Sequence, residues 1–186
     1  MLQEEMAREE RRPQPAESAQ ETTPVRIRKL GHVVFAVSDL ERSTRFWTEI
    51  MGFKISDRNE QGMVFLHHGS DHHTIALAKA QGGLDHPPKK RDLGFDHCAL
   101  EVGSVAELFQ IRDFLRAKGI KIVYEGRRGA GCNPGLEFLD PDGFNIEIYA
   151  SMDQIGWDGK SRPPEQWKRA TSLEEAVANP PEGVAY

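Results

Sequence analysis

The feature that most constrains this chain is a β-α-β order written twice. Residues 30–37 (LGHVVFAV) form a short apolar run, followed by a helical segment over 39–51 and then Gly52-Phe53-Lys54-Ile55. Residues 95–102 (FDHCALEV) form a matching run, followed by a helical segment over 104–118 and then Gly119-Ile120-Lys121-Ile122. Apolar runs of this length bounded by turn residues read as buried strands, and the intervening spacing reads as helix. A pseudo-twofold relating the copies brings together whatever stands at matching places in their opening strands.

What stands there is a histidine in each copy, His32 and His97. A third apolar run, residues 144–149 (FNIEIY), carries Glu147 in the same kind of setting. An imidazole or carboxylate among aliphatic strand residues is costly unless it is hydrogen-bonded or coordinates a cation. A lone histidine of this sort is more often a hydrogen-bonded core residue. Three polar side chains in equivalent positions point instead to one shared cause, a metal ion held by His32, His97 and Glu147.

Bulk properties narrow the function. With 24 basic and 29 acidic residues among 186, the net charge of -5 is mild and mixed in sign, which argues against nucleic acid or an anionic membrane as partner. No apolar run reaches the length of a membrane span, and the N-terminus lacks the apolar core of a secretory signal. Two cysteines, Cys98 and Cys132, are too few for a disulfide framework, so the expected location is the reducing cytoplasm.

The organisation read along the chain has five parts. Residues 1–27 form a charged, proline-interrupted tail, disordered or docked on a partner. Residues 28–80 form the first module, in which Phe46, Trp47 and Ile50 face inward from the helix. Strands over 53–58, 63–68 and 72–78 complete it, and four histidines, His67, His68, His72 and His73, fall among them. Alternation sends His72 and His73 to opposite faces, so at most one points at a given site, while His67 and His68 read as surface or rim. Residues 81–93, with Pro87-Pro88-Lys89-Lys90-Arg91, form an exposed linker. Residues 94–150 form the second module, ending in a hairpin whose reversal is Asp140-Pro141-Asp142-Gly143. Residues 151–186 form an extension that packs on the body or a partner subunit, because Trp157 and Trp167 seldom stay in water.

The two opening-strand histidines, together with Glu147 after the Asp140-Pro141-Asp142-Gly143 turn, resemble the vicinal oxygen chelate superfamily over residues 28–150. The resemblance implies an α+β fold of two paired βαβββ modules forming an open, barrel-like cup around a metal. Aligning the module ends sets Ala76 opposite Glu147, at the place where glyoxalase I and related isomerases carry a fourth protein ligand. Two histidines and one carboxylate with open positions suit non-haem Fe(II), and Mn(II) fits the same ligands.

Within the superfamily the chain is similar to the type I extradiol ring-cleavage dioxygenases, which act on a catechol-like diol with O₂. The segment His72-His73-Thr74-Ile75-Ala76-Leu77 resembles the one that presents an acid-base histidine to the substrate, here His73. With Ala76 facing the site, that role requires a bulge or strand start that leaves His73 on the loop side. The chain departs from the pattern at two places. Glu137 stands where a tyrosine is common, ten residues before the carboxylate ligand, and the loop before it lacks a histidine. Asn133 and Glu137 are therefore candidate substrate contacts, Asn133 donating a hydrogen bond in the histidine's stead. The expected partners are a small aromatic diol, O₂ and a second copy of the chain, with neither nucleic acid nor membrane. A Mn(II)-dependent transferase or lyase and a non-catalytic ligand-sequestering module of the same fold are the alternatives.

Overall fold

The computed structural model describes residues 29–82 and 95–186, so the tail over 1–27 and nearly all of the expected linker lie outside the described residues. Each half starts with a strand that a side-chain cap converts into a helix. After β1 (Val33–Val37), the carboxylate of Asp39 accepts the Arg42 N–H at 2.9 Å and starts α1 (Leu40–Arg45). After β5 (His97–Glu101), the Ser104 hydroxyl accepts the Glu107 N–H at 3.3 Å and starts α2 (Val105–Ala117). Both caps satisfy donors that a helix start leaves without intrahelical partners. The chain continues past α1 as a π-helical turn, Phe46–Ile50, which buries Phe46 and Trp47 as their spacing predicts.

Three further strands complete each half: β2 (Lys54–Arg58), β3 (Val64–His67) and β4 (Ile75–Lys79), then β6 (Ile122–Arg127), β7 (Pro134–Leu139) and β8 (Asn145–Tyr149). The two sheets share one permutation, β1-β4-β3-β2 and β5-β8-β7-β6, with the first pair parallel in each. This is the α+β pair of βαβββ modules expected from the repeat, built as two open four-stranded sheets rather than a closed barrel. Register fixes the equivalences between them. Val34 pairs with Ala76 in the first sheet as Ala99 pairs with Glu147 in the second, so Ala76 is the structural counterpart of Glu147. Two residues before Val34 and Ala99 stand His32 and His97.

Alternation then sorts the side chains. One face of each sheet buries its apolar set against the helices, Phe35, Val37, Leu66 and Leu77 in the first, and Leu136, Phe138 and Ile146 with Leu108 and Leu115 of α2 in the second. The modules meet through Phe46 on Phe138 at 6.4 Å, and through Phe35, which lies 5.5 Å from Phe95 and 5.4 Å from Phe144. Asp142, in the turn before β8, accepts the Ser38 N–H at 2.9 Å and pairs with Arg42, tying that turn to the start of α1.

Residues 151–186 lie against the second module. Ala170 exchanges two 2.9 Å backbone hydrogen bonds with Arg127 at the end of β6, and α3 (Leu173–Ala178) buries Leu173 and Ala176. Arg127 is 0% exposed, and its guanidinium donates to the carbonyls of Lys168, Ala176 and Asn179 and to the Tyr186 hydroxyl, all in this extension. Gly126 has φ +134°, and a Cβ there would stand 2.2 Å from the Ala170 carbonyl oxygen, so only glycine admits the extension.

Two expectations change. Strand β4 opens at Ile75, three residues later than the apolar pattern predicts, leaving His72 and His73 in the preceding loop. Trp157 is 92% exposed rather than covered. Its loop closes on itself, with the Gly156 N–H donating to the Lys160 carbonyl at 2.9 Å, and holds the indole outside. Trp167 does cover a surface, its ring lying over Gly129. Among the described residues no helix is long and apolar enough to cross a membrane.

Candidate metal centre

In the second module the face away from α2 carries the odd-numbered residues of β5, β7 and β8. His97 opens β5 and Glu147 is central in β8, and the parallel register brings His97 Nε2 to 3.3 Å from Glu147 Oε2. Each is held from behind. Asp96 Oδ2 lies 2.9 Å from His97 Nδ1, which fixes the ring and leaves Nε2 facing Glu147. Asn133 Nδ2 donates to Glu147 Oε1 at 3.2 Å. Asn133 comes from the turn after β6, where Gly131 (φ +75°) and Cys132 (φ +49°) take left-handed backbone and the Gly131 carbonyl accepts the Asp153 N–H at 2.8 Å.

Burial pushes the Glu147 carboxyl above the ordinary glutamate range, and the nearby Glu137 carboxylate adds to this, while His97, Arg128 and the Asn133 amide oppose it. A half-buried carboxylate that resists ionisation is stabilised by a cation beside it. The donor spacing fits that role, because two ligands about 2.1 Å from one ion at a right angle are about 3 Å apart. The pair His97 and Glu147, an imidazole nitrogen and a carboxylate oxygen, therefore fits as two ligands of a divalent metal.

Glu137 is Glu147's ladder partner across β7 and β8, and it is 5% exposed. Arg128 donates to Glu137 Oε1 from Nε at 2.8 Å and also from Nη2, and Asn145 Nδ2 donates to Oε2 at 3.0 Å. The Arg128 guanidinium stacks on Tyr124, 3.8 Å from the ring centroid. Burial raises the Tyr124 phenol, whose hydroxyl donates to the Ala170 carbonyl at 3.3 Å. Beside these residues opens a cleft of about 380 Å³, lined by Phe95, Phe144, Leu139, Val123 and Tyr124 together with Asp96, Arg128, Glu137 and Asn145.

In the first module His32 and His73 meet, with ring centroids 4.6 Å apart. His73 also packs edge-on against Phe65 at 4.9 Å, and its Nδ1 lies 3.0 Å from His72 Nδ1. Burial first, and then His32 and His72, hold His73 below the usual histidine range, which keeps the ring neutral and able to accept a proton. The residues named from the sequence thus gather as two pairs, His97 with Glu147 and His32 with His73. Asn133 and Glu137 adjoin the first pair. Among the described residues no three His, Cys, Asp or Glu side chains gather at one point as a metal site.

Four residues of the site escaped the sequence reading: Asp96, Tyr124, Arg128 and Asn145. Asp96 directly precedes His97, and Asn145 precedes Glu147 by one strand period, so both were within reach of local spacing. Tyr124 comes to the site through the register of β6 on β7, which includes an irregularity between Ile122 and Tyr124 that no spacing reveals, and Arg128, just past the end of β6, stacks on it.

A profile described as the Glyoxalase/Bleomycin resistance protein/Dioxygenase superfamily matches residues 29–148, and the chain belongs to that superfamily. It is 41% identical over 131 residues, 68% of its length, to a 2,2',3-trihydroxybiphenyl dioxygenase of Sphingomonas paucimobilis, covering 42% of that protein. It is 28% identical over 134 residues to a lactoylglutathione lyase of Escherichia coli O157:H7, covering 67% of this chain and 94% of the lyase. A solved glyoxylase/bleomycin resistance protein/dioxygenase domain from Frankia sp. EAN1pec has the same fold, with a TM-score of 0.58 at 23% identity over 68% of this chain and 99% of that one. The chain spans between 35% and 45% of the length of the first curated relatives it matches.

Proposed function

We propose that this chain is a non-haem Fe(II)-dependent extradiol-type dioxygenase that opens the ring of a catechol-like substrate with O₂, with Mn(II) as the alternative metal. The observation that carries the reading is the array Asp96–His97–Glu147–Asn133, a half-buried carboxylate and an oriented imidazole 3.3 Å apart beside an aromatic-walled cleft. In this reading His32, His97 and Glu147 would hold the metal, and the alanine at position 76 offers no further ligand. The bound metal supplies Lewis acidity toward the two vicinal oxygens and a means of reducing O₂.

The protein's own residues do the rest. Phe95 and Phe144 give the substrate ring an apolar wall and exclude water around it. Asn133 keeps Glu147 in one orientation. His73, neutral near pH 7, accepts a proton from a substrate hydroxyl and returns it when the ring opens. The two cysteines, both buried free thiols, fit the reducing cytoplasm in which Fe(II) persists.

A second reading, a lyase or isomerase, is favoured by one finding, that the chain covers 94% of the lactoylglutathione lyase it resembles. Ala76 at the counterpart of Glu147 speaks against it. The test is protein loaded anaerobically with Fe(II) and offered a panel of catechols in an oxygen electrode. Oxygen uptake with a yellow ring-fission product is expected. Absence of uptake with every diol, or turnover of a glutathione hemithioacetal without oxygen, would overturn the dioxygenase reading.

A further inference from the structure

We infer that Arg128 makes this site selective for a substrate that carries a carboxylate on its aromatic ring, the diol part of which rests on the ring-cleavage reading above. The cleft adjoins the candidate ligands directly, because its wall residues Asn145 and Glu137 are the ladder partners of His97 and Glu147. Most of its lining is apolar or aromatic, and Arg128 is its one cation among the described lining residues.

The two acidic lining residues are already engaged. Asp96 is bonded to His97 Nδ1, and Glu137 takes donors from Arg128 and Asn145. Arg128 is not used up in the same way. Its Nε and Nη2 both go to the single oxygen Glu137 Oε1, Nη1 is engaged by no described residue, and the side chain is 51% exposed. Its posture is set in advance by the salt bridge to a buried carboxylate on one side and the Tyr124 ring, 3.8 Å away, beneath.

The residue before it adds to that stiffness. Arg127 is locked into the C-terminal extension by four acceptors, while Arg128, the next residue and just past β6, packs instead on Glu137 and Tyr124 at the site. A planar guanidinium fixed in place with an open edge is matched to a carboxylate, which it meets with two parallel N–H donors. An aromatic ring lying along Phe95 and Phe144 with an acidic substituent on Arg128 satisfies both kinds of wall.

Two measurements test this on the full chain. By calorimetry or NMR titration, phenylacetate is expected to bind at least about tenfold more tightly than its neutral isostere phenylacetamide, in keeping with a charge-assisted pair. That preference should vanish in Arg128→Gln. It should vanish equally in the double variant Arg128→Gln/Glu137→Gln, which also removes the carboxylate that the single change leaves unpaired. Equal binding of acid and amide by the unmodified chain, a preference that survives in the double variant, or tighter binding of the cation phenethylamine would each overturn the assignment.

In the oxygen electrode, the ratio of kcat/KM for dihydroxyphenylacetate over its amide should fall about tenfold or more in Arg128→Gln, and an unchanged ratio would refute the role. If phenylacetate shows the Arg128-dependent preference while no diol consumes oxygen, the ring-cleavage reading fails and the carboxylate site stands. If diols consume oxygen with no acid preference, the reverse holds.

Discussion

The two modules follow one backbone plan and diverge on their open faces. Where β4 of the first presents Ala76 beside Phe65, β8 of the second presents Glu147 beside Glu137. Where the first gathers His32, His72 and His73 with an aromatic ring, the second sets His97 between Asp96 and Glu147. The strand order and the parallel pairing are the same in both, so the fold does not decide which module carries charge. A few side chains at equivalent register positions do. The second module also receives the C-terminal extension, through Arg127 and the backbone bridge at Ala170, close to the turn that delivers Asn133.

The largest effect should come from making the second face like the first. Glu147→Ala reproduces the alanine at position 76 and removes the carboxylate, and oxygen uptake with any diol that serves the unmodified protein is expected to fall to background. Retention of more than about a tenth of the rate, barely 1.4 kcal/mol in the barrier, would mean the difference between the faces is not catalytic.

Next comes the support that the second module alone receives. Arg127→Met leaves three carbonyls and a hydroxyl of the extension without their donor, and should lower unfolding stability by about 3 kcal/mol in urea titrations. A change below about 1 kcal/mol would show the extension to be loosely held.

A smaller effect lies at the junction between modules. Burial pushes the Asp140 carboxyl up to about 6 although two backbone N–H groups donate to its Oδ1, at 2.8 and 2.9 Å. With a folded pKa above the unfolded value, its contribution is fully present below about pH 4 and is lost as pH rises through about 6. Asp140→Asn keeps an oxygen for both donors and should flatten stability across that window. A slope as steep as before in the variant would assign the titration elsewhere.

The smallest effect should be at Trp157, whose indole is 92% exposed, against Trp47, which is 0% exposed. Thermal melts should place Trp157→Ala within about 0.5 kcal/mol of the parent and Trp47→Ala about 3–5 kcal/mol below it.

The repeat, both helix starts and the inward-facing Phe46 and Trp47 were legible because they rest on local spacing and capping. Ala76 as the counterpart of Glu147 was legible too, since the two modules have equal registers. The start of β4 was not, because His72 and Thr74 extend the pattern of β4 on paper and only the pairing of Leu66 with Ile75 ends it. Glu137 could be read with equal ease as a surface residue or a site residue. Its burial goes with Arg128 folded over it and with Tyr124, its ladder partner, set opposite it by a β-irregularity. Trp157 misled because composition predicts covering for an indole, while a loop closed by Gly156 and Lys160 keeps it in solvent.

The proposed chemistry needs one imidazole–carboxylate pair in the second module, His97 and Glu147, to hold a divalent ion. The direct measurement is elemental analysis after anaerobic Fe(II) loading and desalting, on the unmodified chain and on His97→Ala. Close to one ion per chain in the first and essentially none in the second is the predicted result. An ion retained in full by His97→Ala, or none bound by either protein, would contradict it.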